Sequence, residues 1–160
     1  MNNVPIRKLE FYTDGAFSSK SQMGGWAAIC LENEMIIDER SGYEPYSTNN
    51  RMELMAILSA LENSNTIEYR FTEIKIYTDS AYVANAFNQQ WYKTWMSNGW
   101  KTADKQDVKN QDLWRRIIAL YIKLKAKFNL EIIKVEAHKS NKWNNYADLL
   151  AVKARKILED

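Results

Sequence analysis

Apolar and polar positions along the chain switch between two periods. Over residues 8–14 they alternate, with Leu9, Phe11 and Thr13 on one side and Glu10, Tyr12 and Asp14 on the other. This is the two-residue period of a strand ending at Asp14-Gly15. Residues 25–31 and 35–39 read as two further strands, and the polar break Glu32-Asn33-Glu34 suits a hairpin turn between them. Asn50 then starts a helix in which Leu54, Ile57, Leu58 and Leu61 recur at steps of three and four. A fourth strand follows at 73–79, a short helix at 80–88, and a tryptophan-rich helical patch at 91–98 that Asn98-Gly99 breaks. A polar loop at 101–110 leads into a long helix from 111 to about 127, a fifth strand at 130–135 and a last helix from about 144 to 158. Hairpin strands first, then strands separated by helices, predict one mixed sheet with helices on its faces.

No linker, repeat or low-complexity run divides this pattern. Its 160 residues are the length of one ordinary domain, so residues 1–160 are expected to form a single unit, with no room for a separate N-terminal module. No stretch approaches the roughly 20 apolar residues of a membrane helix, and the N-terminus lacks the apolar core of a signal peptide. Cys30 is the lone cysteine, which excludes an internal disulfide and a thiolate metal cage. The expectation is a cytoplasmic monomer with no membrane contact and no obligate protein partner. Net charge is +2, but residues 91–125 hold eight bases against three acids, a local +5 on a body that is otherwise −3. One basic region on a slightly acidic body predicts a polyanion docked there.

Two segments echo each other: Phe11-Tyr12-Thr13-Asp14-Gly15 and Ile76-Tyr77-Thr78-Asp79-Ser80. If their strands are parallel neighbours, both Asp side chains emerge in the same phase at the carboxyl edge of the sheet, where α/β proteins bind ligands. A plain turn or cap role is the alternative. Glu53 stands three residues after Asn50, the place of a capping-box acid. It also shares a helical face with Ala56, Ile57 and Ala60, where a carboxylate is costly unless a cation or donors meet it. Asp148 has the same oddity inside Ala147-Asp148-Leu149-Leu150-Ala151. Four carboxylates gathered at one edge would repel one another, and divalent cations relieve that repulsion. An all-oxygen set suits Mg²⁺ or Mn²⁺ better than zinc, and two such ions form a clamp for in-line attack on a phosphodiester.

Thr13-Asp14-Gly15, the run Thr48-Asn49-Asn50-Arg51-Met52-Glu53-Leu54-Met55-Ala56, Thr78-Asp79-Ser80 and Gly99-Trp100-Lys101-Thr102-Ala103-Asp104-Lys105 resemble bacterial-type ribonuclease H (type 1). His138, Asn144 and Asp148 follow at that family's spacing, so the resemblance spans nearly the whole chain. It implies an α/β, ribonuclease H-like fold: a five-stranded mixed sheet, strands 1–3 antiparallel and strands 4 and 5 parallel to strand 1, with helices on both faces. It also implies an endonuclease that hydrolyses the RNA strand of RNA–DNA hybrids with two Mg²⁺ ions, Mn²⁺ serving as a substitute, and leaves 5′-phosphate and 3′-hydroxyl ends. Carried over by position, Asp14, Glu53, Asp79 and Asp148 are the metal ligands. His138 is the loop histidine that assists proton transfer or product release. Thr48 matches a phosphate contact, and Asn49 and Asn50 match residues that straddle the minor groove. Trp91, Lys93, Trp95, Lys101 and Lys105 match the basic protrusion that grips the DNA strand, and Asn144 joins the substrate contacts. Trp100 and Trp114 read as core.

Three places depart from the family. Ser18-Ser19-Lys20-Ser21-Gln22-Met23 replaces a Gly-Asn-Pro-Gly type loop, Ala81 stands where a Gln often meets substrate, and Lys139-Ser140-Asn141-Lys142-Trp143 replaces a small Gly-containing loop. With all four acids kept, altered affinity and not lost activity is expected. A catalytically weak module that holds hybrid or duplex RNA through the basic patch, and a DNA-directed resolvase- or transposase-like enzyme of the same architecture, are the rival readings. The intact acids disfavour the first, and the 48–56 run and the Trp/Lys protrusion disfavour the second.

Overall fold

The computed structural model describes residues 5–68, 72–136 and 141–159. The chain runs β1 (Arg7–Phe17), β2 (Met23–Glu32), β3 (Met35–Pro45), α1 (Asn49–Ser64), β4 (Thr72–Thr78), α2 (Ala81–Asn88), α3 (Trp91–Ser97), α4 (Gln111–Lys125), β5 (Asn129–Lys134) and α5 (Lys142–Arg155). One sheet forms in the order β3-β2-β1-β4-β5. The β1–β2 and β2–β3 pairs are antiparallel, and β1–β4 and β4–β5 are parallel. This is the mixed sheet the alternation of elements predicts, with β1 at its centre. Asn33 and Glu34 both take positive φ (52° and 62°), the backbone twist that lets a two-residue turn close β2 onto β3.

The two-residue period of β1 sorts the interior into two cores. Leu9 and Phe11 join Leu54, Ile57 and Leu61 of α1, Ile76 of β4 and Trp114 and Ile117 of α4. On the opposite face, Tyr12 packs with Ile29 and Leu31 of β2 and Ala147 of α5. Each large apolar side chain so enclosed contributes roughly 1.5–3 kcal/mol. The helix packing against β2 is close: a Cβ on Gly25 would lie 2.2 Å from the Ala151 carbonyl oxygen of α5.

Element ends differ from the pattern in instructive ways. β1 continues to Phe17, because β2 supplies antiparallel partners as far as Gly24; Asp14 is therefore inside a strand, not at its end. β3 runs on through polar residues to Pro45, held by β2 alone on the sheet edge. α1 begins at Asn49, with the Thr48 hydroxyl accepting the Arg51 amide as cap. α5 begins at Lys142, capped by Asn141, and stops at Arg155.

Candidate active site

β1 and β4 place the first two acids. Tyr12 pairs with Tyr77, so Asp14 and Asp79 each lie two residues beyond the same rung, in the phase the sequence echo predicts. The Thr13 hydroxyl donates to the Tyr77 carbonyl at 2.8 Å and ties the strands together beneath them. Glu53 arrives from α1. Because Thr48 is the cap, the capping-box position falls on Arg51, and Glu53 is left in the second turn without a capping role. Gly15 makes this approach possible: a Cβ there would sit 2.5 Å from the Glu53 amide nitrogen. Its own backbone N–H donates to the Glu53 carboxylate.

Asp14, Glu53 and Asp79 each offer an oxygen within 4.8 Å of the others. Asp148 reaches in from α5 and hydrogen-bonds to Asp14. Three of the predicted carboxylates, Asp14, Glu53 and Asp79, therefore share one cluster, and Asp148 lies near enough to raise the Asp14 carboxyl. Asp14 and Glu53 are each only 3% exposed. Burial, then repulsion from Glu53, Asp79 and Asp148, pushes the Asp14 carboxyl up to about 10. Burial and the charge of Asp79 push Glu53 up to about 8, against hydrogen bonds from Asp14 and Gly15 that lower it. Among the described residues, Glu53 Oε2 is a buried oxygen with no hydrogen-bond partner. An orphaned buried oxygen facing two further acids is what a cation would satisfy, so the donor set fits a hard divalent metal.

The residues carried over as substrate contacts line up less uniformly. Thr48, Asn49 and Asn50 form one wall of a groove of about 910 Å³ whose other wall includes Trp95, Thr102, Asp104 and Lys109. Thr48 combines this position with its capping role, and its hydroxyl hydrogen is still available to a phosphate. Trp95 is half-buried, its ring centroid 5.2 Å from that of Trp114 and 5.9 Å from that of Trp100. Trp91 packs against Trp95 and Tyr82, and its indole N–H donates to Gln89, so it belongs more to the packing of α3 than to an open surface. Lys93 and Lys105 are exposed. Lys101 is ion-paired with Asp107, which reduces its charge toward any ligand. Asn144 is buried one turn ahead of Asp148 on α5. His138 lies outside the described residues.

Two tethers escaped the sequence reading. Arg51 bridges Glu44 and Asp112, and the Tyr12 hydroxyl is hydrogen-bonded by Asn141, the cap of α5. Arg51 and Asp112, and Tyr12 and Asn141, are dozens of positions apart, and no local spacing signals such pairs.

A mixed sheet whose central strand carries Asp14, with Glu53 from α1 and Asp79 just beyond β4 gathered beside it, defines an acid-centred protein of the ribonuclease H-like architecture whose acids fit a divalent metal. The family model "RNase H" matches residues 7–156. The chain is 44% identical over 150 residues to "Ribonuclease H" of Prosthecochloris aestuarii, covering 94% of this chain and 97% of that one. It is 40% identical over 153 residues to "Ribonuclease H" of Syntrophomonas wolfei, covering 96% and 99%. Among solved structures, the ribonuclease H domain of prototype foamy virus has the same fold, with a TM-score of 0.75 at 23% identity over 96% of this chain and 97% of that domain. The chain belongs to the ribonuclease H family.

Proposed function

We propose that this chain is a ribonuclease H that hydrolyses the RNA strand of RNA–DNA hybrids. The observation that carries the reading is the convergence of Asp14, Glu53 and Asp79 around an unpartnered buried oxygen, in a chain of this family. Asp14, Glu53, Asp79 and Asp148 would hold the metal. Two magnesium ions, with manganese as a substitute, would there activate a water and stabilise the departing 3′ oxygen.

The chain's own groups do the rest. The buried acids fix the attack point on the sheet, because Asp14 is held in a paired strand and Glu53 is hydrogen-bonded by Gly15. Water adds to phosphorus as the P–O3′ bond breaks, leaving a 5′-phosphate and, after the 3′ oxygen takes up a proton, a 3′-hydroxyl. His138, whose ordinary pKa lies near neutrality, is suited to deliver or remove that proton. Thr48, Asn49 and Asn50 offer a hydroxyl and two amides to the backbone and groove edges of the duplex. Trp95, Lys93 and Lys105 would meet the DNA strand, with Trp91 and Lys101 beside them in packed or paired positions, and Asn144, one turn before Asp148 on α5, would join the substrate contacts near the acids. Preference for RNA over DNA at the cut strand requires a contact to the 2′-hydroxyl.

The test is cleavage of a labelled RNA–DNA hybrid, duplex DNA and duplex RNA, each with Mg²⁺ and with chelator. Cutting of the hybrid RNA strand alone, abolished by chelator, is expected. Intact hybrid in Mg²⁺, or equal cutting of duplex DNA, would overturn the reading.

A further inference from the structure

The groove has two walls from different parts of the chain, and one side chain spans their roots. Arg51, in the first turn of α1, directs its Nε to Glu44 Oε1 of β3 at 2.7 Å. Its Nη1 and Nη2 pair with both oxygens of Asp112 at 3.0 and 2.9 Å, and Nη1 also reaches Asn110 Oδ1 at 3.4 Å. Asn110 lines the same groove as Asn49 and Asn50, and it takes a left-handed backbone, φ 59°, to turn the chain into α4. A planar guanidinium held on two edges fixes direction as well as distance, which an ammonium does not.

Arg51 is also turned away from the acids. It sits two positions before Glu53, and helical residues two apart do not share a face. Its guanidinium is committed instead to Glu44, Asp112 and Asn110.

We infer that Arg51 is a positioning residue which, by clamping Asp112 and Asn110 to α1, sets the separation of the two groove walls and so the affinity for the hybrid. The inference rests on the hybrid-cleaving reading given above. Loss of the clamp leaves the far wall held by packing around Trp100, Val108 and Trp114, and the groove then accommodates many widths, of which one fits the duplex. Weaker binding with little change in the chemical step follows.

The experiment measures kcat and KM on one labelled hybrid in Mg²⁺ for the unaltered chain, Arg51→Met, Arg51→Lys, Asp112→Asn and the double variant Arg51→Met/Asp112→Asn, with melting curves for each. The expected result is a tenfold or greater rise in KM for Arg51→Met and a several-fold rise for Asp112→Asn. kcat stays within about twofold in both, and the double variant is no worse than Arg51→Met because the two act as one unit. Arg51→Lys recovers little, since it keeps charge but not the fork. Asp112→Asn decides the matter even if Arg51→Met fails to fold, because the Asp112 side chain is 62% exposed. If Arg51 bound a phosphate directly, releasing it from Asp112 would lower KM, and that result overturns the inference. Unchanged KM in folded variants, or a fall in kcat alone, overturns it too. A chain that cuts no hybrid before any substitution fails the functional reading instead.

Discussion

At the scale of single residues, Asp14 carries two opposed roles. Its carboxyl is buried against three others, so the folded, metal-free chain holds it protonated far above the ordinary range. Asp14→Asn removes a ligand and one source of repulsion together. Hybrid cleavage should fall by at least a thousandfold, while the metal-free melting temperature rises by about 3 °C, the equivalent of roughly 1 kcal/mol for a chain of this size. A titration of melting temperature against Mg²⁺ checks both halves: the unaltered chain gains stability with added ion, and the variant gains little. A variant that cut normally would remove Asp14 from the site. The chemistry of this residue was legible from the echo of Tyr-Thr-Asp in two strands. Its mid-strand location was not, because strand length here depends on the partners β2 provides and not on the local alternation.

Between elements, the decisive contacts are made where side chains are missing. Gly15 lies under the Glu53 backbone and Gly25 under the end of α5, and at both a methyl group would meet backbone atoms at or below 2.5 Å. Backbone cannot swing aside as a side chain can. Gly15→Ala should therefore push α1 off β1, costing about 1–3 kcal/mol and lowering cleavage through displacement of Glu53. Melting curves together with kcat on the hybrid give the readout, and unaltered values would mean that α1 yields without moving its acid. The periodic helices and strands could be read directly from the sequence. The seats of the helices could not, since a lone glycine in a strand looks the same whether it permits a close approach or merely lacks a side chain. The basic protrusion shows the same limit: its lysines are plain in the sequence, but the pairing of Lys101 with Asp107 depends on a bridge between residues 101 and 107 that the spacing does not encode.

Across the whole molecule, the acids set a pH dependence whose sign is fixed by the direction of their shifts. Both Asp14 and Glu53 are raised, so between about pH 4 and 10 the folded metal-free chain holds more protons than the unfolded one. Their contribution is fully present below the unfolded values and is lost as pH climbs through about 8 for Glu53 and about 10 for Asp14. Melting temperature in chelator should fall between pH 5 and pH 9, and it should fall less in Asp14→Asn. Equal slopes would show that other groups govern the trend. Saturating Mg²⁺ should flatten the curve, since ion binding favours the ionised carboxylates. A mixed sheet with helices on its faces was readable from order and period, and its strand directions from the family resemblance, whereas the balance of charge within it required three dimensions.

The placement of β1 has one more consequence. It is the middle strand of five, hydrogen-bonded on both flanks and sandwiched between helices above and below. Segments in such a location are the last to open when a protein breathes. Partial loosening of the edges or of the far groove wall will thus cost this chain its grip on nucleic acid well before it scrambles the scissile machinery. A frayed molecule of this kind remains chemically intact and regains competence once its periphery closes again.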